Sequence, residues 1–284
     1  FGLIDRQVTM NQGRIVAHAV SPHTPRMANP DGAPDFLEGV MDGAREMGEV
    51  IRSLEPDLWV VHSTHWVTTF NWYVTHQARH DGMCVGEECP DLIPGIDYSI
   101  QGHPEFSAAL STAIEAAGFP GGQSRTSNHR FDYGSYVPLV YLDPEFSLPV
   151  VLLGCCVMAD IGECMAVGAA VAQAAKESGR RIAFLASTAL SHRLVRGPDH
   201  WPSDDEQKQD HAFINLLCSG HVQQAQRQFS DYARAVTAEM GGRNLATFLG
   251  TFDNDTQYHG RQYGSYGQSS GSGNASILLT ESTE

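Results

Sequence analysis

The order of apolar runs over the first sixty residues constrains the fold more than any other feature. Arg14–Val20, RIVAHAV, is a nearly unbroken apolar run that stops at Ser21-Pro22, the pattern of a strand buried on both faces. In Asp35–Leu54 the apolar residues Phe36, Val40, Met47, Val50, Ile51 and Leu54 recur at helical spacing. Pro56-Asp57 ends that helix, and Leu58–Val61 is a second apolar strand. A strand, a helix and another strand in this order favour parallel pairing, because a parallel neighbour needs a crossover of this length.

The rest of the chain continues the alternation. Strands are expected at Phe70–His76, Phe146–Val157, Arg181–Ala186 and Ala275–Leu279. Helices are expected at Pro104–Ala117, with Pro in its first turn, at Gly162–Lys176, Asp204–Gly220 and His221–Met240. Gly264–Gly273, GSYGQSSGSG, has the composition of a loop within the domain. No internal repeat or boundary is visible. The expectation is one α/β domain over residues 1–284, with a central mixed, largely parallel sheet flanked by helices.

In open parallel sheets ligands bind beyond the carboxyl ends of the strands. Three strand ends here carry histidine: His23 in SPHTPRM, His65 in HSTHW and His192 in STALSHR. Remote in sequence, these side chains are expected to meet in space. Two neutral imidazoles and one carboxylate on one face of an octahedron suit Fe(II) and leave three positions open, whereas a zinc hydrolase needs three strong ligands and a water. Asp231, Glu239, Asp253 and Asp255 are the late carboxylates, and residue pattern alone leaves the choice among them open. His62, three before His65, is expected to point to the other face of the strand, and His18 to be a core histidine with one hydrogen-bond partner. Trp66, Phe70 and Trp72 are expected in the core or as walls of an aromatic pocket. Arg193 and Arg243 are expected to be surface cations or salt-bridge partners, with a substrate carboxylate as the other option.

Charge and cysteine usage narrow the class. A net charge of −15 argues against nucleic acid or an anionic membrane as partner, since both need basic surface. No segment approaches the ~18 unbroken apolar residues of a membrane span, and no secretory-leader pattern opens the chain. The six cysteines are irregularly spaced, and Cys155-Cys156 falls in an apolar run. They are expected to be reduced thiols of a cytoplasmic protein, with Cys84 and Cys89 too few for a closed zinc site.

The segments SPHTPRM, VVHSTHWVTTF, HRFDYGSYVPLVYL and LASTALSHRL, in this order and spacing, resemble the class III extradiol ring-cleavage dioxygenases. This is the superfamily of the protocatechuate 4,5-dioxygenase catalytic subunit. The chain is most similar to its branch of 3,4-dihydroxyphenylacetate 2,3-dioxygenase and 2-aminophenol 1,6-dioxygenase. The resemblance runs from about Arg14 to the last strand. It implies His23 and His65 as iron ligands and, as the third, a Glu on a late helix, which Glu239 in DYARAVTAEMGGRNLATFLG matches. It implies His192 as the acid–base and oxygen-contacting histidine. Tyr133 in FDYG stands where other members carry His, which implies a hydrogen bond to a substrate oxygen and departs from a His-based proton path. His129, four residues earlier in what reads as a loop, is expected to contact substrate.

The implied activity is Fe(II)-dependent extradiol cleavage of a catechol-type aromatic, with both atoms of O2 inserted; Mn(II) fits the same ligand set. Cleavage of a 2-aminophenol, a metal-dependent hydrolase and a non-catalytic partner subunit are the alternatives. The expected partners are the small aromatic substrate and O2, in a homo-oligomer (dimer or tetramer) or a hetero-oligomer.

Overall fold

The structure is a computed structural model that describes residues 13–282. The outermost residues of the expected 1–284 domain, 1–12 and 283–284, lie outside the described residues. The chain forms β1 (Arg14–Ser21), α1 (Glu38–Ser53), β2 (Leu58–Thr68), β3 (Trp72–Val74), β4 (Arg79–Cys84) and β5 (Ile96–Gln101). It continues with α2 (Pro104–Ala116), β6 (Gly121–Gln123), α3 (Tyr133–Leu142), β7 (Val150–Cys156), α4 (Ile161–Ser178) and β8 (Arg181–Ser187). Last come α5 (Asp204–Cys218), α6 (Val222–Ala235), α7 (Arg243–Gly250), β9 (Tyr258–Ser269) and β10 (Ser272–Glu281).

Eight strands form one mixed sheet in the order β6-β3-β7-β2-β8-β1-β10-β9. The central four, β7, β2, β8 and β1, are mutually parallel, while β10 and β9 add antiparallel at one edge. Alternate residues of each central strand enter two cores, as a period of two requires. Leu58, Val60, Ile182, Phe184 and Ala186 pack under α2, α4, α5, α6 and α7. Trp59, Val61, Ala183, Leu185, Ala17 and Ala19 pack under α1 and α3. Burial on both faces is why these strands read as continuous apolar runs. No helix among the described residues is long and apolar enough to cross a membrane. All six cysteines are free, and Cys155 and Cys156 are buried in β7.

Four expectations are corrected. The Gly/Ser-rich run 264–273 is not a loop: β9 and β10 are paired strands joined by the two-residue turn Ser270-Gly271, both at positive φ (50° and 85°). Pairing with β10 and close packing on α1 override the weak strand propensity of that composition. β2 runs through HSTHW to Thr68 rather than ending before it. The helix expected over His221–Met240 stops at Ala235. There Ala238 N–H bonds Ala233 O across Thr237 at φ 50°, a left-handed helix stop made without glycine. Tyr133 opens α3, a helix with no counterpart among the expected elements, and its cap is Asp132, accepting the Ser135 N–H at 2.9 Å. The segment 79–96, which reads as a loop, instead begins with β4, which pairs antiparallel with β5 in a separate two-stranded sheet.

Candidate metal centre at the carboxyl ends of three parallel strands

Parallel pairing puts Ser21, Ser187 and Ser63 in one row across β1, β8 and β2. Two residues past each serine, on the same face, stand His23, Ala189 and His65. The β2–β7 register breaks between His62 and Val67, a bulge that lifts His65 off the ladder. The result is a cluster. His23 Nε2 lies 3.1 Å from His65 Nε2 and 3.3 Å from Glu239 Oε1, and His65 Nε2 is 3.8 Å from the same oxygen. The three residues form a group that could hold a metal ion. His192 Nε2 stands 3.7 Å from Glu239 Oε1.

Every other polar atom of the three is already engaged. Ser187 spends its hydroxyl proton on Gly134 O, so at 2.9 Å it accepts from His23 Nδ1–H, which leaves the His23 Nε2 lone pair facing the cluster. Glu88 Oε1 accepts from His65 Nδ1–H at 3.2 Å, so His65 Nε2 also presents a lone pair. Glu239 Oε2 accepts from Ala189 N–H at 2.6 Å and the Thr188 hydroxyl at 3.2 Å, and Oε1 accepts the Thr64 hydroxyl at 3.0 Å. Three electron-pair donors therefore converge with only Thr64 supplying a proton among them. Donors bound at right angles roughly 2.1 Å from one ion stand about 3.0 Å apart, close to the separations here. The donor set fits a divalent cation.

The electrostatics show a cluster that draws positive charge, which a proton on His23 supplies when no cation does. Burial works against the Glu239 anion, yet His23, His192 and the Ala189 N–H hold its pKa far below the usual carboxylate range. Burial opposes a charge on His23, but the Glu239 carboxylate outweighs it and raises the pKa. His65 and His192 are held below the ordinary imidazole value, first by burial and then, respectively, by His23 and against the pull of Glu239. Burial, with the Glu88 and Glu239 charges, pushes the Tyr133 phenol well up, so it stays an O–H.

Glu239 does not sit on an α-helix. It opens the 3-10 turn Glu239–Gly242, in which Met240, Gly241 and Gly242 are all left-handed. Arg243 holds the turn through Met240 O, Ala159 O and Val157 O. Arg193 binds Glu206 at 2.9 Å, so both arginines are engaged within the protein. Asp231 is exposed and paired with Arg234, and Asp253 and Asp255 are exposed ahead of β9. Tyr133 lies 4.1 Å, ring to ring, from His65. His129 packs on Trp66 at 4.3 Å and lines a different cleft from the one, about 390 Å³, that His65, Glu88 and Tyr133 line. Phe70 is exposed, while Trp72 is core. His62 is buried, its Nδ1 donating to Leu153 O. His18 has its one partner, Thr251.

Ser187, Thr64, Thr188 and Glu88 escaped the sequence reading. The row of serines two residues before His23, Ala189 and His65 is a signal that finds Ser187; nothing local marks Glu88.

The family described as the catalytic LigB subunit of aromatic ring-opening dioxygenase matches residues 17–276. The chain is 22% identical over 271 residues to a 3,4-dihydroxyphenylacetate 2,3-dioxygenase of Escherichia coli, covering 91% of this chain and 98% of that one. It is 28% identical over 200 residues to a 2-aminophenol 1,6-dioxygenase beta subunit of a Pseudomonas species, 64% of each chain. Its fold matches the crystal structure of an uncharacterized Escherichia coli K12 protein with a TM-score of 0.65 at 15% identity, over 93% of this chain and 99% of that one.

Proposed function

Because this chain belongs to the family of the catalytic LigB subunit of aromatic ring-opening dioxygenases, we propose that it is an Fe(II)-dependent extradiol dioxygenase acting on a catechol-type ring. The observation that carries this reading is the convergence of His23 Nε2, His65 Nε2 and Glu239 Oε1, each braced from behind by protein hydrogen bonds. Bound there, Fe(II) would supply a point of chelation for two adjacent ring oxygens and a path for electrons from ring to O2; Mn(II) fits the same donors.

The protein's own part is positioning and proton movement. His23 and Glu239 form the closed back of the site, at 6% and 4% exposure, while His65 and His192 are more open at 21% and 29%. Substrate therefore approaches past His65 and His192. His192, neutral at pH 7, accepts a proton from a ring hydroxyl at Nε2 and returns it when the ring opens. Tyr133 keeps its proton and donates it as a hydrogen bond to a ring oxygen. His129, beside Trp66, would contact a ring substituent reaching that far. The similarity to a beta subunit supports an oligomer as the working form.

The test is anaerobic loading with Fe(II), addition of catechols or 2-aminophenols, then O2. The expected result is a yellow ring-opened product and one O2 consumed per substrate. Hydrolysis without oxygen uptake, or no bound iron, would overturn the proposal.

A further inference from the structure

A second polar cluster lies behind the site, built on a carboxylate that the proposed chemistry does not use. Asp210 of α5 is fully buried. Its Oδ2 accepts the Ser191 hydroxyl at 2.6 Å, the Tyr266 hydroxyl at 2.6 Å and the Ser191 N–H at 3.3 Å. Its Oδ1 accepts the Tyr232 hydroxyl at 2.8 Å. No cation pairs with it among the described residues. A buried anion held only by neutral donors is costly, so a chain that retains one needs a use for it. The four donors come from three separate parts of the chain: the loop after β8, α6 and β9. Gly273 of β10 completes the fit, since a Cβ there would collide with Tyr266 Oη, Asp210 Oδ2 and Ser191 Oγ.

The segment that Asp210 grips carries the site. Leu190–His192 behaves as a short added strand. Leu190 N–H bonds Gly273 O and Gly273 N–H bonds Ser191 O, both at 2.9 Å. Ser191 bridges Ala238, and His192 bridges Ser272. Glu239 N–H reaches Leu190 O at 3.4 Å, so the Glu239 turn leans on the same segment. Neighbouring residues of an extended strand point to opposite faces. With Ser191 turned to Asp210, His192 is turned to Glu239. A slip of one residue would reverse both.

We propose that Asp210 is a positioning residue: by gripping Ser191 it sets the register of Leu190–His192 and so aims His192 at the His23–His65–Glu239 cluster. The functional arm of this inference rests on His192 being the proton carrier proposed above; the structural arm does not.

Asp210→Asn is the direct variant, and because it disturbs a buried knot of four hydrogen bonds, Ser191→Ala is made beside it, leaving Asp210 both tyrosine donors. Crystals of Ser191→Ala should show His192 Nε2 displaced from its 3.7 Å separation from Glu239 Oε1. In turnover, Ser191→Ala should lower kcat tenfold or more, with KM and iron per chain as in the parent. In a His192→Gln background the same substitution should change kcat less than twofold, because the group it positions is gone. An equal loss of kcat in both backgrounds would overturn the inference, as would an unmoved His192 in the crystal. If the parent protein opens no aromatic ring, the dioxygenase proposal fails, and the crystal readout alone decides this one.

Discussion

Glu239→Gln separates the two roles of the carboxylate, holding the turn and facing the cation. The amide oxygen can take the Oε2 position and keep the Ala189 N–H and Thr188 hydroxyl bonds, now at 2.6 and 3.2 Å. The NH2 then occupies the Oε1 position, where it donates to His23 Nε2 at 3.3 Å and to the Thr64 hydroxyl at 3.0 Å, which turns from donor to acceptor. Exchanging charged for neutral hydrogen bonds costs about 1 kcal/mol each. Relief from burying an anion, several kcal/mol, offsets this. The metal-free variant should therefore melt within about 4 °C of the parent. Metal binding is another matter, because the variant turns an N–H donor toward the cluster and lacks its carboxylate. A divalent ion at about 1,000 times its Kd stabilises the parent by about 4.1 kcal/mol. For a chain of this length that raises Tm by roughly 8 °C. Anaerobic thermal melts with Fe(II) or Mn(II) should show that rise in the parent and none in Glu239→Gln. A parental rise in the variant would refute Glu239 as a ligand, and no rise in either would refute the cation site.

Three further outcomes are expected. His192→Gln should lower kcat by about 10²- to 10⁴-fold with iron content unchanged, read by stopped-flow product formation and metal analysis. Ser187→Ala removes the acceptor that fixes the His23 tautomer and should weaken metal affinity by about 10- to 100-fold, measured by competition with a chelator. His18, far from the cluster and packed on Phe252, has its pKa pushed down by burial to about 3 from 6.5. Its folded pKa lies below the unfolded one, so its contribution is complete above pH 6.5 and is lost as pH falls toward 3. Within that window it steepens the fall in unfolding free energy by about 1.4 kcal/mol per pH unit. Urea unfolding from pH 6.5 to 4.5 should show that component in the parent and not in His18→Asn; equal slopes would remove burial of a neutral His18 as its source.

How much of this was legible in the chain follows from what is local. β1, β2 and β8 announce themselves as apolar runs because both faces of each are covered, so His23 and His192 can be placed past strand ends by inspection, while His65 lies inside β2, three residues before its end. The β9–β10 hairpin is not legible, because glycine and serine weaken a strand locally, and only pairing of its two strands, pairing with β1 and the close face of α1 compensate. α3 leaves no periodic mark in the sequence, because Pro138 and a largely apolar run hide its helical spacing.

The sequence by itself determined the sheet's parallel core, the three histidines at its rim and a chemistry of imidazole and carboxylate. Tertiary structure decided which carboxylate lies beside the histidines. Asp231, Glu239, Asp253 and Asp255 are equivalent as letters, but a left-handed Thr237 stops α6 and swings Glu239 alone onto the Ala189 amide. It also supplied Glu88 behind His65 and Asp210 behind Ser191. Those choices depend on which strands lie side by side, and pairing between residues more than a hundred positions apart leaves no periodic mark on either segment.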